Sequence, residues 1–294
     1  MRAILLLLLL SACAGPSGEC QLEALATLPV RLEGRVPVVT AEINGRPATL
    51  VIDTGSDATL LNEQAAQRLG VAGGGAVRDV RGAGGAASVR QGRIDSLALG
   101  PIKLQALRAL LTQAPGPPYD GILGLDVLNA YELDLDVPQG RATLYRARPC
   151  ATAAPGWTGP TVRLPTQMQA NSGHLFVPVT IDGEPLRGML DSGASVSALS
   201  IQAAEDLRIN QQRLQRLPGG RGNAINAGGV QVRMRQFQSM QVGTDTLERP
   251  VLSIINLPPF AGDLLVGSDY LSTRRVWFSF LLGHVFVQGA PPQP

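Results

Sequence analysis

Leu50-Val51-Ile52-Asp53-Thr54-Gly55-Ser56 ends an apolar run on an acid, a hydroxyl and a glycine. The same pattern returns 138 positions later as Gly188-Met189-Leu190-Asp191-Ser192-Gly193-Ala194. In each copy the apolar run has the length and composition of a buried strand, and the glycine permits a backbone path that a side chain would forbid. A single Asp-x-Gly turn after a strand is ordinary loop chemistry. Two copies in matching surroundings are a different matter, and the surroundings do match. Asn44-Gly45 and Asp182-Gly183 precede the two acids at the same spacing and have the composition of tight hairpin turns.

Downstream, Leu61-Asn62-Glu63-Gln64-Ala65-Ala66-Gln67-Arg68-Leu69 aligns with Leu199-Ser200-Ile201-Gln202-Ala203-Ala204-Glu205-Asp206-Leu207. Both predict short helices with an Asn or Ser cap. Gly124-Leu125-Asp126-Val127-Leu128 then aligns with Gly267-Ser268-Asp269-Tyr270-Leu271 at an offset of 143, as do the turns at Gly140 and Gly283. The chain is an internal duplication.

With the two Asp turns and an apolar-apolar-Gly segment in each half, Gly121-Ile122-Leu123-Gly124 and Leu264-Leu265-Val266-Gly267, the chain resembles the retropepsin-like and pepsin-like aspartic peptidases. In that group two similar lobes each contribute one Asp-Thr/Ser-Gly. The resemblance implies a mostly β fold of two closed-barrel-like lobes about a pseudo-twofold axis, with Asp53 and Asp191 as the catalytic pair. It also implies that the Thr54 and Ser192 hydroxyls lock the two turns together, while Gly55 and Gly193 let backbone amides approach the acids. The glycine-rich stretches holding Gly82, Gly84 and Gly85, and Gly228 and Gly229, correspond to the flaps that close over a substrate. Such flaps carry a Tyr in pepsin-like enzymes, and neither stretch here has one. Asp57 adds a further charge after the first turn and is expected to point to solvent.

Composition agrees with this architecture. The 294 residues are 45% apolar and 16% charged, with Gly 34 and Pro 22, which suits turn-rich β lobes. A net charge of +2 and the absence of a Lys/Arg run give no support to nucleic-acid binding. His174 and His284 each fall inside a strand pattern, outside any His-Glu-x-x-His or Gly-x-Ser-x-Gly motif, and are expected to be structural. The glycines lack the Gly-Lys-Ser/Thr of a phosphate loop. No cofactor or metal is expected.

The first residues have a different character. Arg2 followed by an apolar segment too short to span a bilayer has the form of an export signal over residues 1–12. Leu10-Ser11-Ala12-Cys13 resembles the bacterial lipoprotein processing box, which implies a lipid on Cys13, a tether over 13–30 and a site in the cell envelope. Ala14 in place of Asp implies the outer membrane, facing the periplasm. Cys20 and Cys150 flank the first lobe and could pair in an oxidising compartment, with two free thiols as the alternative. The expected division is lobe one at 31–150, a linker at 151–160, lobe two at 161–288 and a tail at 289–294. A monomeric endopeptidase acting on peptide or protein substrates is the expected function. A peptide-binding envelope lipoprotein of the same fold, without turnover, is the alternative.

Overall fold

In this computed structural model, residues 22–83, 85–113, 118–146, 154–222 and 229–289 are described. The expected signal segment, Cys13, Cys20, Cys150, Gly84 and Gly228 lie outside the described residues, as do 151–153 of the expected linker and 290–294 of the tail.

Strands dominate, as the apolar runs and turn residues require. Val36–Ile43 and Arg46–Ile52 form a hairpin, with Val38 opposite Val51 and Ile43 opposite Arg46. Leu175–Ile181 and Glu184–Leu190 repeat it, with Phe176 opposite Met189 and Ile181 opposite Glu184. The turns between them use Asn44 and Asp182 at φ 51° and 50°, each followed by a glycine at positive φ. Left-handed geometry at both turn positions matches the twist of the strands, which is why Asn-Gly and Asp-Gly occur here. Each turn acid or amide also holds a neighbouring strand. Asn44 Oδ1 accepts from the amides of Asp95 and Ser96, and Asp182 Oδ1 from those of Gln238 and Ser239.

The short helices follow at Glu63–Arg68 and Ile201–Asp206. Asn62 Oδ1 caps the first through the Ala65 amide at 2.7 Å, and Ser200 Oγ caps the second through Ala203 at 3.0 Å. The caps relieve amides that would otherwise lack a partner in the first turn. Ala65, Ala66, Ala203 and Ala204 face the core, where small side chains let the helices lie close to the sheets.

Among the described residues the strands form a 13-stranded and a 10-stranded sheet, and the fold is mostly β with two lobes. Sheet membership and the sequence repeat divide the chain differently. Val162–Leu164, Arg275–Ser279 and His284–Gln288 come from the second half, yet they join the sheet of the first. Arg275–Ser279 pairs antiparallel with Tyr131–Asp136, with Trp277 opposite Asp134. Buried polar contacts fasten this junction. Glu132 accepts from Trp277 Nε1 and Ser279 Oγ, both at 2.9 Å, and Arg275 grips Asp134 through Nε at 2.9 Å and Nη2 at 2.5 Å.

Ala24–Glu33 begins inside the stretch expected to be tether and runs as a strand between Arg141–Arg146 and Val36–Ile43. Its alternation explains the difference. Ala26, Leu28 and Val30 are buried while the residues between them face outward, the period-two pattern of a half-buried strand.

Candidate active site

Each acid sits where a strand meets a crossing. Arg46–Ile52 runs parallel to Gly121–Leu123, which is antiparallel to Leu60–Asn62, so the chain turns sharply at Asp53 between them. Glu184–Leu190, Leu264–Val266 and Ala198–Ser200 make the same arrangement around Asp191. The Asp53 amide donates to Leu123 O at 3.1 Å and the Asp191 amide to Val266 O at 3.0 Å. Both acids are thereby tied to the ends of core strands.

Behind each turn lies a second acid, and the equivalence again holds residue by residue. Asp126 Oδ1 accepts from Thr59 N at 2.9 Å and Thr59 Oγ1 at 2.8 Å. Asp269 Oδ1 accepts from Ser197 N at 2.9 Å and Ser197 Oγ at 2.7 Å. Gly124 and Gly267 amides donate to the same two hydroxyls. These pairs pin the loop after each Asp turn to the short helix that follows the apolar-apolar-Gly segment. The repeat marks Asp126 and Asp269 by their matched position, without indicating that they serve as anchors.

The two turns meet through their hydroxyls. Thr54 Oγ1 donates to Leu190 O at 2.8 Å and accepts from Ser192 N at 3.1 Å. Ser192 Oγ donates to Ile52 O at 2.6 Å and accepts from Thr54 N at 3.1 Å. This cross-lobe lock is the arrangement that the resemblance implied for these two residues. Both side chains are buried, Thr54 at 2% exposure and Ser192 at 0%.

Gly55 and Gly193 are required by proximity. A Cβ at Gly55 would come within 2.6 Å of Asp191 Oδ1, and one at Gly193 would come within 2.6 Å of Asp53 Oδ1. Each glycine thus faces the acid of the opposite half, at a separation no side chain tolerates. Its amide meanwhile donates to its own acid, Gly55 N to Asp53 Oδ1 and Gly193 N to Asp191 Oδ1, both at 2.9 Å. Asp191 Oδ1 also accepts from Ala194 N at 3.0 Å.

The structure therefore brings Asp53 and Asp191 together, each carboxyl lying against the glycine of the other's turn. Removal from solvent and then the charge of Asp191 push the Asp53 carboxyl well above the usual carboxylate range. Burial also raises Asp191, opposed by the Ala194 and Gly193 amides, by Asp53 and by the positive charge available on His174. Two like charges held close together ionise at once only at high cost.

Of the expected flap residues, Gly82 and Gly85 face each other across the end of a long hairpin made by Gly73–Gly82 and Gly85–Leu99. Ala83, at its tip, packs against an apolar cluster of the second half that includes Phe176, Met189 and Leu265. In the second half Gly219–Gly222 pairs with Val230–Gln236, and Gly229 leads into the latter strand.

Two residues near the pair carry no signal in the sequence that would place them there. Tyr119 packs against Val36, Val38 and Val51, and burial followed by the Asp53 charge pushes its hydroxyl up. It supplies an aromatic hydroxyl near the site from the segment before Gly121–Leu123, where the flaps carry none. His174, expected to be structural, is buried at 1% exposure. Its Nε2 stands 3.4 Å from Asp57 Oδ1, whose side chain is 64% exposed, in keeping with the solvent-facing position expected of Asp57.

A family model described as aspartyl protease matches residues 39–127 and 177–270, one span in each half, and each span contains one of the two acids. The matches cover more than half of the chain, and the protein belongs to the aspartyl protease family. No curated protein sequence matches it.

Proposed function

We propose that the protein is an aspartic endopeptidase that hydrolyses peptide bonds with a water activated by Asp53 and Asp191. The reading is carried by one observation: two carboxyls from equivalent turns face each other, each against the glycine of the opposite half. In this scheme the ionised acid takes a proton from a water placed between the pair, and the water oxygen bonds to the amide carbon. The protonated acid gives its proton to the carbonyl oxygen, producing a neutral gem-diol. Breakdown returns a proton from one gem-diol hydroxyl to the dyad and delivers the other dyad proton to the nitrogen as the C–N bond breaks. The products are a carboxylic acid and an amine, and the dyad again holds one proton. No covalent intermediate is needed.

Family membership supports peptidase chemistry, and the retained pair of acids supports turnover over passive binding, because a binder has no use for a shared proton. The test is cleavage of a broad peptide library by the full chain, beside Asp53→Asn and Asp191→Asn. Wild-type cleavage that vanishes in both folded variants, with a bell-shaped pH profile, is the expected result. Substantial turnover in either variant would refute a single Asp53/Asp191 dyad.

The proposal extends to location. The signal-like segment and Cys13 support a lipid-anchored envelope protein, since several acyl chains on one residue hold a protein stably on a membrane. Cys20 and Cys150 are proposed to be joined, tying the chain before the first lobe to the chain after it. No helix among the described residues is long and apolar enough to cross a membrane.

A further inference from the structure

From Leu207 to Thr244 the second half carries six arginines, Arg208, Arg213, Arg216, Arg221, Arg233 and Arg235, and no Lys, Asp or Glu. The whole chain is only +2, so the remainder is net negative and positive charge is concentrated in this stretch. The first half does not repeat it. The equivalent positions, 69–106, hold Arg78, Arg81, Arg90, Arg93 and Lys103 together with Asp79 and Asp95. There Arg90 pairs with Glu63 and Arg93 with Asp95. None of the six second-half arginines forms an ion pair among the described residues. Of the acids flanking the stretch, Glu205 and Asp206 are exposed, and Asp245 is held by Arg274 at 2.7 Å.

The fold gathers these cations beside the cleft. Gln211–Arg216 is a helix with Leu214 buried and with Arg213 and Arg216 exposed, three apart and so on one side. Arg208 adjoins it, its carbonyl accepting from Arg213 Nη1 at 3.2 Å. The helix end is tied to the hairpin of Gly219–Gly222 and Val230–Gln236: Met234 N donates to Pro218 O at 2.8 Å and Arg233 Nη1 to Leu217 O at 3.2 Å. In that hairpin Arg221 stands opposite Gln231, and alternation puts Gln231, Arg233 and Arg235 on the same face. The other face carries Val230 and Val232, which pack against the apolar cluster of Met189, Ala194 and Leu265 on either side of the Asp191 turn, where Ala83 of the first hairpin also arrives. One side of the hairpin thus walls the cleft, and the other presents arginines just outside it.

We propose that this surface is an exosite that selects polypeptide substrates bearing an Asp/Glu-rich segment next to the bond to be cut. The inference rests on the peptidase reading of Asp53 and Asp191. A guanidinium fork matches a carboxylate with two parallel hydrogen bonds, and clustered unpaired cations both speed the encounter with an acidic chain and hold it. The forks are partly set in place: Arg233 uses one of its five donors on Leu217 O, and the Arg235 guanidinium lies 4.9 Å from the centre of the Phe237 ring. Position favours a substrate over a membrane, because a chain leaving the cleft along this hairpin meets the arginines at once. Phe237, the one aromatic residue of the stretch, is buried, so the surface offers no platform for stacked nucleic-acid bases.

The test uses peptides that share one cleavable core and carry an Asp/Glu-rich or a Ser/Gln-rich extension at either end. The readout is the ratio of kcat/KM for acidic over neutral peptides, measured for the full chain, for Arg213→Gln/Arg216→Gln/Arg221→Gln, and for the matching triple Lys variant. Wild type should prefer the acidic peptides about tenfold at low salt, through KM, and lose the preference at about 1 M salt, where the Debye length falls to about 3 Å. The Gln variant should lose most of the ratio and the Lys variant keep most of it. Because the ratio is internal to each protein, a general loss of activity does not imitate the effect. A wild-type ratio near one at low salt would overturn the proposal without any variant, as would a ratio that the three Gln substitutions leave unchanged. Failure to cleave any peptide would strike the peptidase reading instead. Fluorescence anisotropy of the same peptides with the Asp53→Asn chain then decides the exosite, and equal affinity for acidic and neutral peptides would end it. Binding to anionic phospholipid vesicles that the Gln variant loses, with no peptide preference, would assign the surface to a membrane and overturn the substrate reading.

Discussion

Replacing Thr54 by Val isolates the cross-lobe lock. The substitution keeps shape and removes the hydroxyl, which leaves Leu190 O without its 2.8 Å donor and Ser192 N without its 3.1 Å acceptor. With Thr54 and Ser192 both buried, water has poor access to replace either bond. A buried polar group stripped of its partner costs about 1–3 kcal/mol, so the two together should cost about 2–6 kcal/mol. For a chain of this size that corresponds to a fall in Tm of roughly 5–20 °C. Urea denaturation of Thr54→Val and Thr54→Ser beside wild type measures it. Thr54→Ser should recover most of the loss, because the equivalent position in the other half is already Ser192. Activity adds a second readout: the lock holds each Asp turn against its opposite, and a displacement of about 1 Å at reacting groups can cost on the order of 100-fold in rate. Thr54→Val should therefore lose kcat more than it raises KM. A Val variant within about 0.5 kcal/mol of wild type, no different from the Ser variant, would show that these hydroxyls do not hold the halves together.

Asp53→Asn should be more stable than wild type at neutral pH even as it loses activity. The Asp53 carboxyl is raised on folding, so wild type loses stability as pH rises from about 4 to the folded value, at ~1.4 kcal/mol for each pH unit across that window. Melting temperatures at pH 7 and pH 4 check this, and an advantage that fails to shrink at acid pH would refute it. Arg275→Ala should cost about 3–5 kcal/mol in chemical denaturation, because it leaves Asp134 buried with Trp157 Nε1 as a remaining side-chain donor. A loss under about 1 kcal/mol would deny the junction that role. Mass spectrometry of membrane-fraction protein, with and without reductant, should find Cys13 as an acylated N-terminus and Cys20 joined to Cys150. An unmodified N-terminus beyond Cys13, or two free thiols, would reject the respective proposal.

What the sequence made legible was carried by local chemistry stated twice. Asn44-Gly45 and Asp182-Gly183 needed their turn geometry, Asn62 and Ser200 needed to be caps, and the two Asp turns needed their glycines. The parts that escaped lack a second copy or sit where another pattern masks them. Ala24–Glu33 follows a leader, and the expectation of a tether there hides its alternation. Tyr119 stands opposite Gly262 in the alignment and has no repeat partner to mark it. His174 lies in a run of strand residues, and nothing local in the sequence tells that its ring meets Asp57 of the first Asp turn at 3.4 Å. The joining of Arg275–Ser279 to the first half is a long-range pairing that neither period nor turn chemistry encodes.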